Sequence, residues 1–211
     1  MGGHPVFSDD FATALRHLVA LHHHVYPGLP PQGIYFEALA ERAFKDVRIP
    51  FTRVAVTTPN VPKHDIEIGD ARVSLKTETG KGTKEDRISI TKLCTTEREP
   101  WDAPTLVARA VAHLARYDYM LMLRAIWRQA VIRYQIVDIP LALLRLIGAA
   151  NVRPVGRRRG RPSVAGDVYS GEVRVFHVHF DGADGKCQVR DLMLNRCGLI
   201  LEWAYQIQDR I

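Results

Sequence analysis

One segment of the chain predicts a β-hairpin with two chemically different faces: Pro62-Lys63-His64-Asp65-Ile66-Glu67-Ile68-Gly69-Asp70-Ala71-Arg72-Val73-Ser74-Leu75-Lys76-Thr77-Glu78. Gly69-Asp70 predicts the turn, because glycine adopts the positive φ that a two-residue hairpin turn requires. Side chains alternate along a strand, so one face is apolar and carries Ile66, Ile68, Ala71, Val73 and Leu75. The other face collects polar and charged side chains, which are Asp65, Glu67, Arg72, Ser74, Lys76 and Glu78. We expect the first face to pack on a core and the second to be a candidate site.

The polar face has the skeleton of the P-D…(D/E)-x-K pattern of metal-dependent nucleases. In such sites carboxylates bind one or two Mg²⁺ ions, which neutralise the phosphate and lower the pKa of a bound water. Asp65 would be a metal ligand, and Lys76 would be the catalytic base or would place positive charge beside the scissile phosphate. The chain departs from the pattern at Ser74, where an acidic residue is usual. An ordinary amphipathic hairpin with a solvated, salt-bridged face is the alternative.

The composition predicts a globular protein of one domain with a basic surface. A chain of 211 residues can bury a substantial core, and its 29 Lys and Arg against 23 Asp and Glu give a net charge of +6. That surplus suits a polyanion such as nucleic acid. The cysteines are odd in number and lack CxxC spacing, which argues against a disulfide framework and favours a reducing, cytoplasmic location. Neither a membrane-spanning apolar run nor a signal-peptide pattern is found, so we expect no membrane partner.

Two amphipathic helices are predicted ahead of the hairpin, over residues 8–25 and 34–46. The second helix carries Glu37 and Glu41 one turn apart, on the side next to its apolar stripe. These carboxylates either pair with basic neighbours in solvent, or one of them lies over the Asp65–Lys76 face as an outer metal ligand.

Behind the hairpin, a glycine-containing loop at residues 80–84 offers Lys81 and Lys84 as a phosphate clamp. The pattern then predicts a strand, a helix, two strands and a short helix, over residues 87–93, 102–115, 119–126, 131–139 and 141–147. This order of elements predicts an α/β fold in which a mixed β-sheet is flanked by helices.

Arginines cluster next to glycines and a proline in the following part of the chain: Arg153, Arg157, Arg158, Arg159 and Arg161. Such a cationic, glycine-rich composition predicts a loop or arm over residues 151–170 that contacts the DNA backbone. Arg159-Gly160-Arg161-Pro162 also matches the core of an AT-hook, which inserts arginines into narrow A·T minor grooves. A general phosphate contact is the other interpretation.

A second hairpin is predicted from residues 173–180 and 186–193, around a loop at 181–185. It offers side chains of the types that recognise base edges in a major groove, which are Asp181, Asp184, Lys186, Gln188 and Arg190. A plain edge hairpin is the alternative. His177 and His179 share one strand face, and without a third ligand we expect a packed or solvated pair rather than a metal site.

Several segments, in the same order along most of the chain, together resemble the type II restriction endonucleases of the PD-(D/E)xK superfamily, and within it the blunt-cutting SmaI- and PvuII-like enzymes. The segments are residues 41–44, 64–68, 73–78, 113–118, 123–124, 134–140, 179–182 and 187–190. The resemblance implies a restriction-endonuclease-like fold and Mg²⁺-dependent hydrolysis of double-stranded DNA at a short, GC-rich palindrome. It also implies a homodimer, because two-fold protein symmetry matches two-fold DNA symmetry.

The resemblance further implies a single endonuclease domain over residues 1–211. Within it we expect helices for dimerisation at 1–50, a catalytic core at 51–150, and a basic arm with a DNA-recognition β-ribbon at 151–211. Asp65 and Lys76 keep their catalytic roles by position. Because Ser74 is not acidic, the second carboxylate must come from elsewhere, and the candidates are Glu41, Glu67 and Glu78. A non-catalytic DNA-binding protein and a structure-specific repair nuclease on the same core are the alternative functions.

Overall fold

A computed structural model of the protein describes residues 6–53, 65–96, 100–156 and 161–207. The helices are α1 Asp9–Val25, α2 Ile34–Asp46, α3 Ala103–Leu114 and α4 Leu141–Arg145. Two of them begin with a side-chain cap, since Ser8 accepts from the Phe11 amide and Asp102 accepts from the Thr105 amide. The four predicted helices are therefore confirmed. None of the helices in the described ranges is long and apolar enough to cross a membrane.

The strands form two sheets. They are β1 Thr52–Arg53, β2 Ile66–Ile68, β3 Ala71–Glu78, β4 Arg87–Thr95, β5 Tyr119–Arg128, β6 Val131–Asp138, β7 Arg153–Val155, β8 Ser163–Ser170, β9 Val173–Asp181, β10 Lys186–Met193 and β11 Gly198–Gln206. One sheet has the order β1-β2-β3-β5-β6-β11 and the other β4-β10-β9-β8-β7. The first sheet is mixed, because β3 and β5 are parallel while its other pairs are antiparallel. The predicted mixed α/β class is confirmed, but the division into two sheets was not predicted.

The first hairpin has the register that a two-residue turn at Gly69-Asp70 predicts. Ile66 pairs with Val73, Glu67 with Arg72, and Ile68 with Ala71. The turn glycine, Gly69, has the expected positive φ of 57°. Parallel strands need a crossover connection, and β4 together with α3 supplies it between β3 and β5. The predicted start of the segment, residues 62–64, lies outside the described residues.

The first sheet is covered on both faces because the side chains of β5 alternate between two cores. Leu121 and Leu123 pack in a core with residues of α1 and α2, such as Phe11 and Phe44. Met120 and Met122 point the other way, into a core shared with α3, α4 and the five-stranded sheet. β3 belongs to the same sheet and lies between these two cores, which explains how a strand with charged residues comes to be partly buried.

The prediction of a loop or arm over residues 151–170 is wrong for most of that range. Residues 153–155 form β7, and residues 163–170 form β8, which pairs with β7 and β9. Val164, Ala165 and Val168 are buried in β8, so apolar burial outweighs the cationic composition of the neighbouring segment. Residues 157–160, with the predicted DNA contacts Arg157, Arg158 and Arg159, lie outside the described residues.

The second hairpin is confirmed as β9 and β10, but it is neither a free ribbon nor an edge hairpin. β10 also pairs with β4, and β9 also pairs with β8, so the hairpin forms the middle of the five-stranded sheet. The sequence pattern did not show this because the partner strand β4 lies about a hundred residues earlier in the chain. Only one face and the turn of the hairpin are therefore available to a ligand.

Candidate active site

The structure brings Asp65 and Lys76 together at the first hairpin. Lys76 Nζ lies 4.0 Å from Asp65 Oδ2, and the two side chains are 20% and 26% exposed. Both groups are therefore partly shielded from water and still reachable by a ligand. Partial burial also strengthens the electrostatic interaction between them relative to a fully solvated pair.

Ser74, at the position where an acidic residue is usual, connects the two charged groups. Its Oγ donates to Asp65 Oδ2 at 3.3 Å and accepts from Lys76 Nζ at 2.8 Å. The Leu75 amide donates to the same Asp65 oxygen at 2.6 Å. Ser74 is fully buried, so this part of the hairpin face is not the solvated, salt-bridged surface that was the alternative prediction.

Two residues that the sequence did not mark as functional complete the cluster. The Tyr117 hydroxyl lies 2.9 Å from His113 Nε2 and also hydrogen-bonds Ser74. Burial, followed by the charge of Lys76, lowers the pKa of His113 to about 4. Burial, followed by the charge of Asp65, raises the pKa of Tyr117 above its usual range. Both residues belong to a segment of the family resemblance, but their i, i+4 spacing at the end of α3 gives no chemical signal by itself.

Glu78 is engaged by a different part of the fold. Its Oε2 accepts from Arg124 Nε at 2.8 Å and its Oε1 accepts from the Ser89 amide at 2.9 Å. Burial raises the pKa of Glu78, and the charge and hydrogen bond of Arg124 oppose this shift. Both carboxylate oxygens are thus bound by Arg124 and Ser89 rather than directed to Asp65 and Lys76.

The structure places Glu67 opposite Arg72 in the hairpin and Glu41 half-buried on α2. Within the described ranges, no group of three or more His, Cys, Asp or Glu side chains could hold a metal ion. The donors present still suit Mg²⁺, which commonly takes one or two carboxylates and completes its coordination with water and substrate phosphate. Asp65 is a partly exposed carboxylate of this kind.

A cleft opens beside Lys76. It lies between the start of α2, at Gly33 and Phe36, and strands β3 and β4. Lys76 and Lys92 line it, so two positive charges border this space. An anionic group such as a phosphate is the ligand that this charge favours.

The end of the arginine-rich segment packs against the tip of the second hairpin. A Cβ at Gly182 would lie 2.1 Å from the Arg161 carbonyl oxygen and 2.7 Å from that of Pro162, so only glycine permits this approach. The Arg161 guanidinium lies 4.9 Å from the centre of the Trp101 ring, and the Trp101 indole donates to the Pro162 carbonyl at 2.6 Å. The structure therefore joins two of the predicted DNA-binding regions.

The side chains predicted to contact base edges differ in their contacts within the hairpin: some hydrogen-bond in the turn, and others lie along the sheet face. Asp181 Oδ1 accepts from the amides of Ala183 and Asp184, and Lys186 pairs with Asp184 at 3.1 Å. These contacts stabilise the turn. Further along the same face, Arg190 donates to Gln188 Oε1 at 2.6 Å. His179 and His177 of β9 lie opposite these two residues, so a polar sheet face continues beyond the tip.

The lysines of the 80–84 loop are also in contact with the fold. Lys84 Nζ lies 2.7 Å from Asp191 Oδ1, and Lys81 Nζ lies 5.8 Å from the centre of the Trp127 ring. Both lysines are exposed, so these contacts leave them accessible to a phosphate.

Comparison with known proteins gives a consistent result. A family model described as SmaI, type II site-specific deoxyribonuclease, matches residues 4–205. The type II restriction enzyme SmaI of Serratia marcescens is 27% identical over 207 residues, which cover 95% of this chain and 81% of that enzyme. No solved structure matches the chain. The matched range includes both sheets, apart from the last residue of β11, and every residue of the Asp65–Lys76 cluster.

Proposed function

The chain belongs to the SmaI family of type II site-specific deoxyribonucleases, and from this premise we propose that it uses Mg²⁺ to cut both strands of double-stranded DNA at a short palindrome. The predicted enzyme class is thereby confirmed, and the family favours a restriction endonuclease over a repair nuclease or a non-catalytic DNA-binding protein. The observation that carries the proposal is the partly exposed pair of Asp65 and Lys76, joined by Ser74 at the edge of a basic cleft.

In the proposed site, Asp65 holds the metal, and bound Mg²⁺ neutralises phosphate charge and lowers the pKa of a water. Lys76 places its ammonium beside the scissile phosphate, where negative charge increases in the transition state. We assign the second carboxylate to Glu41, because α2 borders the cleft and the Glu78 carboxylate is bound by Arg124. Glu67 stays the alternative ligand.

The proposed DNA-binding surface combines the arginine segment with the second hairpin. Four arginines and two lysines would bind phosphates: Arg157, Arg158, Arg159, Arg161, Lys81 and Lys84. Gln188 and Arg190 lie side by side on an accessible sheet face. In a major groove, arginine donates two hydrogen bonds to the edge of one guanine, which supports a GC-rich target. Asp181, Asp184 and Lys186 would act at the turn.

A homodimer is part of the proposal, because a palindrome presents the same half-site twice. The N-terminal helices support this role, since exposed large apolar side chains concentrate where α1 ends and α2 begins. They are Leu21, Val25, Tyr26, Leu29, Ile34 and Tyr35. Exposed apolar patches of this kind are typical of protein interfaces.

The test is a plasmid digest with Mg²⁺ or with EDTA, using the wild-type protein and Lys76→Ala. We expect discrete fragments that require Mg²⁺, and a loss of roughly a hundredfold or more in cleavage rate for Lys76→Ala with DNA binding retained. Lys45→Ala, which removes an exposed lysine from α2, is the matched control and should cut normally. A wild-type protein that shifts DNA in a gel without cutting it, or that cuts flaps regardless of sequence, would contradict the proposal.

A further inference from the structure

The Ser74 hydroxyl lies at the centre of a continuous hydrogen-bonded chain. It contacts Asp65 and Lys76 on one side and Tyr117 on the other, and Tyr117 continues the chain to His113. Ser74 is 0% exposed, Tyr117 2% and His113 7%. Water therefore has little access to Ser74, Tyr117 and His113, and their polar groups must form hydrogen bonds within the protein.

Ser74 is the nearest anchor of the Lys76 ammonium. Lys76 Nζ lies 2.8 Å from Ser74 Oγ but 4.0 Å from Asp65 Oδ2. A lysine side chain has a flexible four-carbon stem, so the position of its ammonium depends on the group that anchors it. A serine hydroxyl in turn adopts any of three staggered positions unless a partner selects one. Asp65, which accepts from the Ser74 hydroxyl, is one such partner, and Tyr117, on the buried side, is the other.

On this geometry, and resting on the function proposed above, we infer that Tyr117, supported by His113, is a positioning residue of the active site. It holds the Ser74 hydroxyl in the orientation that places Lys76 beside Asp65. A buried network thus occupies the position at which an acidic side chain is usual. Small displacements of catalytic groups cost about a hundredfold in rate, so loss of this support is measurable.

The chain contains a matched control for this inference. Tyr134 and His23 form a second buried pair, with 2.7 Å between Tyr134 Oη and His23 Nε2. Tyr134 is 0% exposed and His23 2%. This pair lies where α1 meets β6 and β11, and its contacts do not include Ser74. Tyr134→Phe therefore removes the same chemical group from an equally buried position away from the site.

The test measures cleavage by the full-length wild type, Tyr117→Phe, Tyr134→Phe, Ser74→Ala and the double variant Ser74→Ala/Tyr117→Phe. We expect Tyr117→Phe to lower kcat by roughly 10- to 100-fold with KM within about threefold, because orientation rather than binding is lost. Tyr134→Phe should keep the wild-type kcat. The double variant should be no slower than Ser74→Ala, since both changes interrupt the same hydrogen-bond network. Equal losses for the two tyrosine variants, an unchanged kcat in Tyr117→Phe, or additive losses in the double variant would overturn the inference.

A second measurement separates this inference from the proposed function. The imidazole ¹⁵N signals of His113 and His23 report on their hydrogen-bond partners and require no cleavage. Tyr117→Phe should shift the Nε2 signal of His113 alone, and Tyr134→Phe that of His23 alone. If the wild type cut no DNA but His113 responded in this way, the proposed function would be wrong, whereas the buried hydrogen-bond network would be supported. If His113 did not respond, the inference would fail whatever the cleavage result.

Discussion

Two polar clusters lie along one face of strand β3, and their carboxylates differ in exposure and in hydrogen-bond partners. In the active-site cluster, Asp65 and Lys76 keep 26% and 20% of their side-chain surface exposed. In the second cluster, Arg124 is fully buried and Glu78 is 11% exposed. Lys76 and Glu78 are only two residues apart on the same strand. Their neighbours in space, rather than their position on the strand, distinguish a candidate catalytic group from a structural one.

In the second cluster, the buried Arg124 guanidinium makes several hydrogen bonds and one ion pair. Arg124 donates to Glu78, to Gln135 Oε1 at 2.6 Å, and to the carbonyl oxygens of Lys84 and Arg87 at 2.6 Å each. A buried guanidinium is tolerated only when its donors are used in this way. The contacts link β3, β5 and β6 to the loop that begins β4, so this cluster joins the two sheets. The active-site cluster, in contrast, leaves part of each charge open to a ligand.

The largest effect on stability should come from breaking the second cluster at Arg124. Arg124→Met leaves the buried Glu78 carboxylate without its counter-charge, and we expect the free energy of unfolding to fall by about 3–5 kcal/mol. Urea denaturation at neutral pH measures this. Arg124→Met/Glu78→Gln removes both charges and should recover part of the loss. If the single variant were as stable as the wild type, Arg124 would not be the structural centre of this cluster.

The two clusters should also differ in their response to acid. Because burial lowers the pKa of His113 from 6.5 to about 4, the unfolded chain binds the proton first as the pH falls. The contribution of His113 to the free energy of unfolding is therefore complete above pH 6.5 and should decrease by up to about 3 kcal/mol toward pH 4. Denaturant unfolding of wild type and His113→Gln over this range tests the expectation.

The comparison with His113→Gln is needed because other groups titrate in the same range. Burial also lowers the pKa of His23, which acts in the same direction. The raised pKa of Glu78 acts in the opposite direction, since the folded state then binds the proton first. Both groups are present in the two proteins and cancel in the difference. Curves that stay parallel from pH 6.5 downward would show that His113 is not a buried neutral imidazole.

The parts of the fold that the sequence predicted are those set by neighbouring residues. The register of β2 and β3 follows from strand alternation and from a glycine at the turn, and the bounds of α2 follow from the spacing of its apolar residues. β8 was missed because its few buried residues follow a strongly cationic segment. The division into two sheets depends on β4 joining β10, a pairing between distant parts of the chain that local patterns do not contain.

The same distinction applies to the candidate site. The hairpin pattern placed Asp65, Ser74 and Lys76 on one face, and the structure agrees. It did not predict Tyr117, which contacts Ser74 from the segment between α3 and β5. It also could not show that Glu78 is bound by Arg124, which lies 46 residues further along the chain. Partners of this kind become visible only when the chain is folded.

The smallest expected effect concerns cleavage by Glu78→Gln. If Glu78 serves the fold, glutamine weakens that role, because its single amide oxygen can accept from Arg124 or from the Ser89 amide but not from both. The protein should lose stability, but the cleavage rate per folded molecule should stay within about threefold of the wild type. Asp65→Asn, an equivalent change in the other cluster, should lose roughly a hundredfold or more, because a metal-binding carboxylate is removed. The measurement is the cleavage rate of the wild type, Glu78→Gln and Asp65→Asn under conditions in which all three proteins are folded. Similar losses in both variants would make Glu78 the second catalytic carboxylate and would show that a side chain bound by a buried arginine is released when DNA and metal enter the cleft.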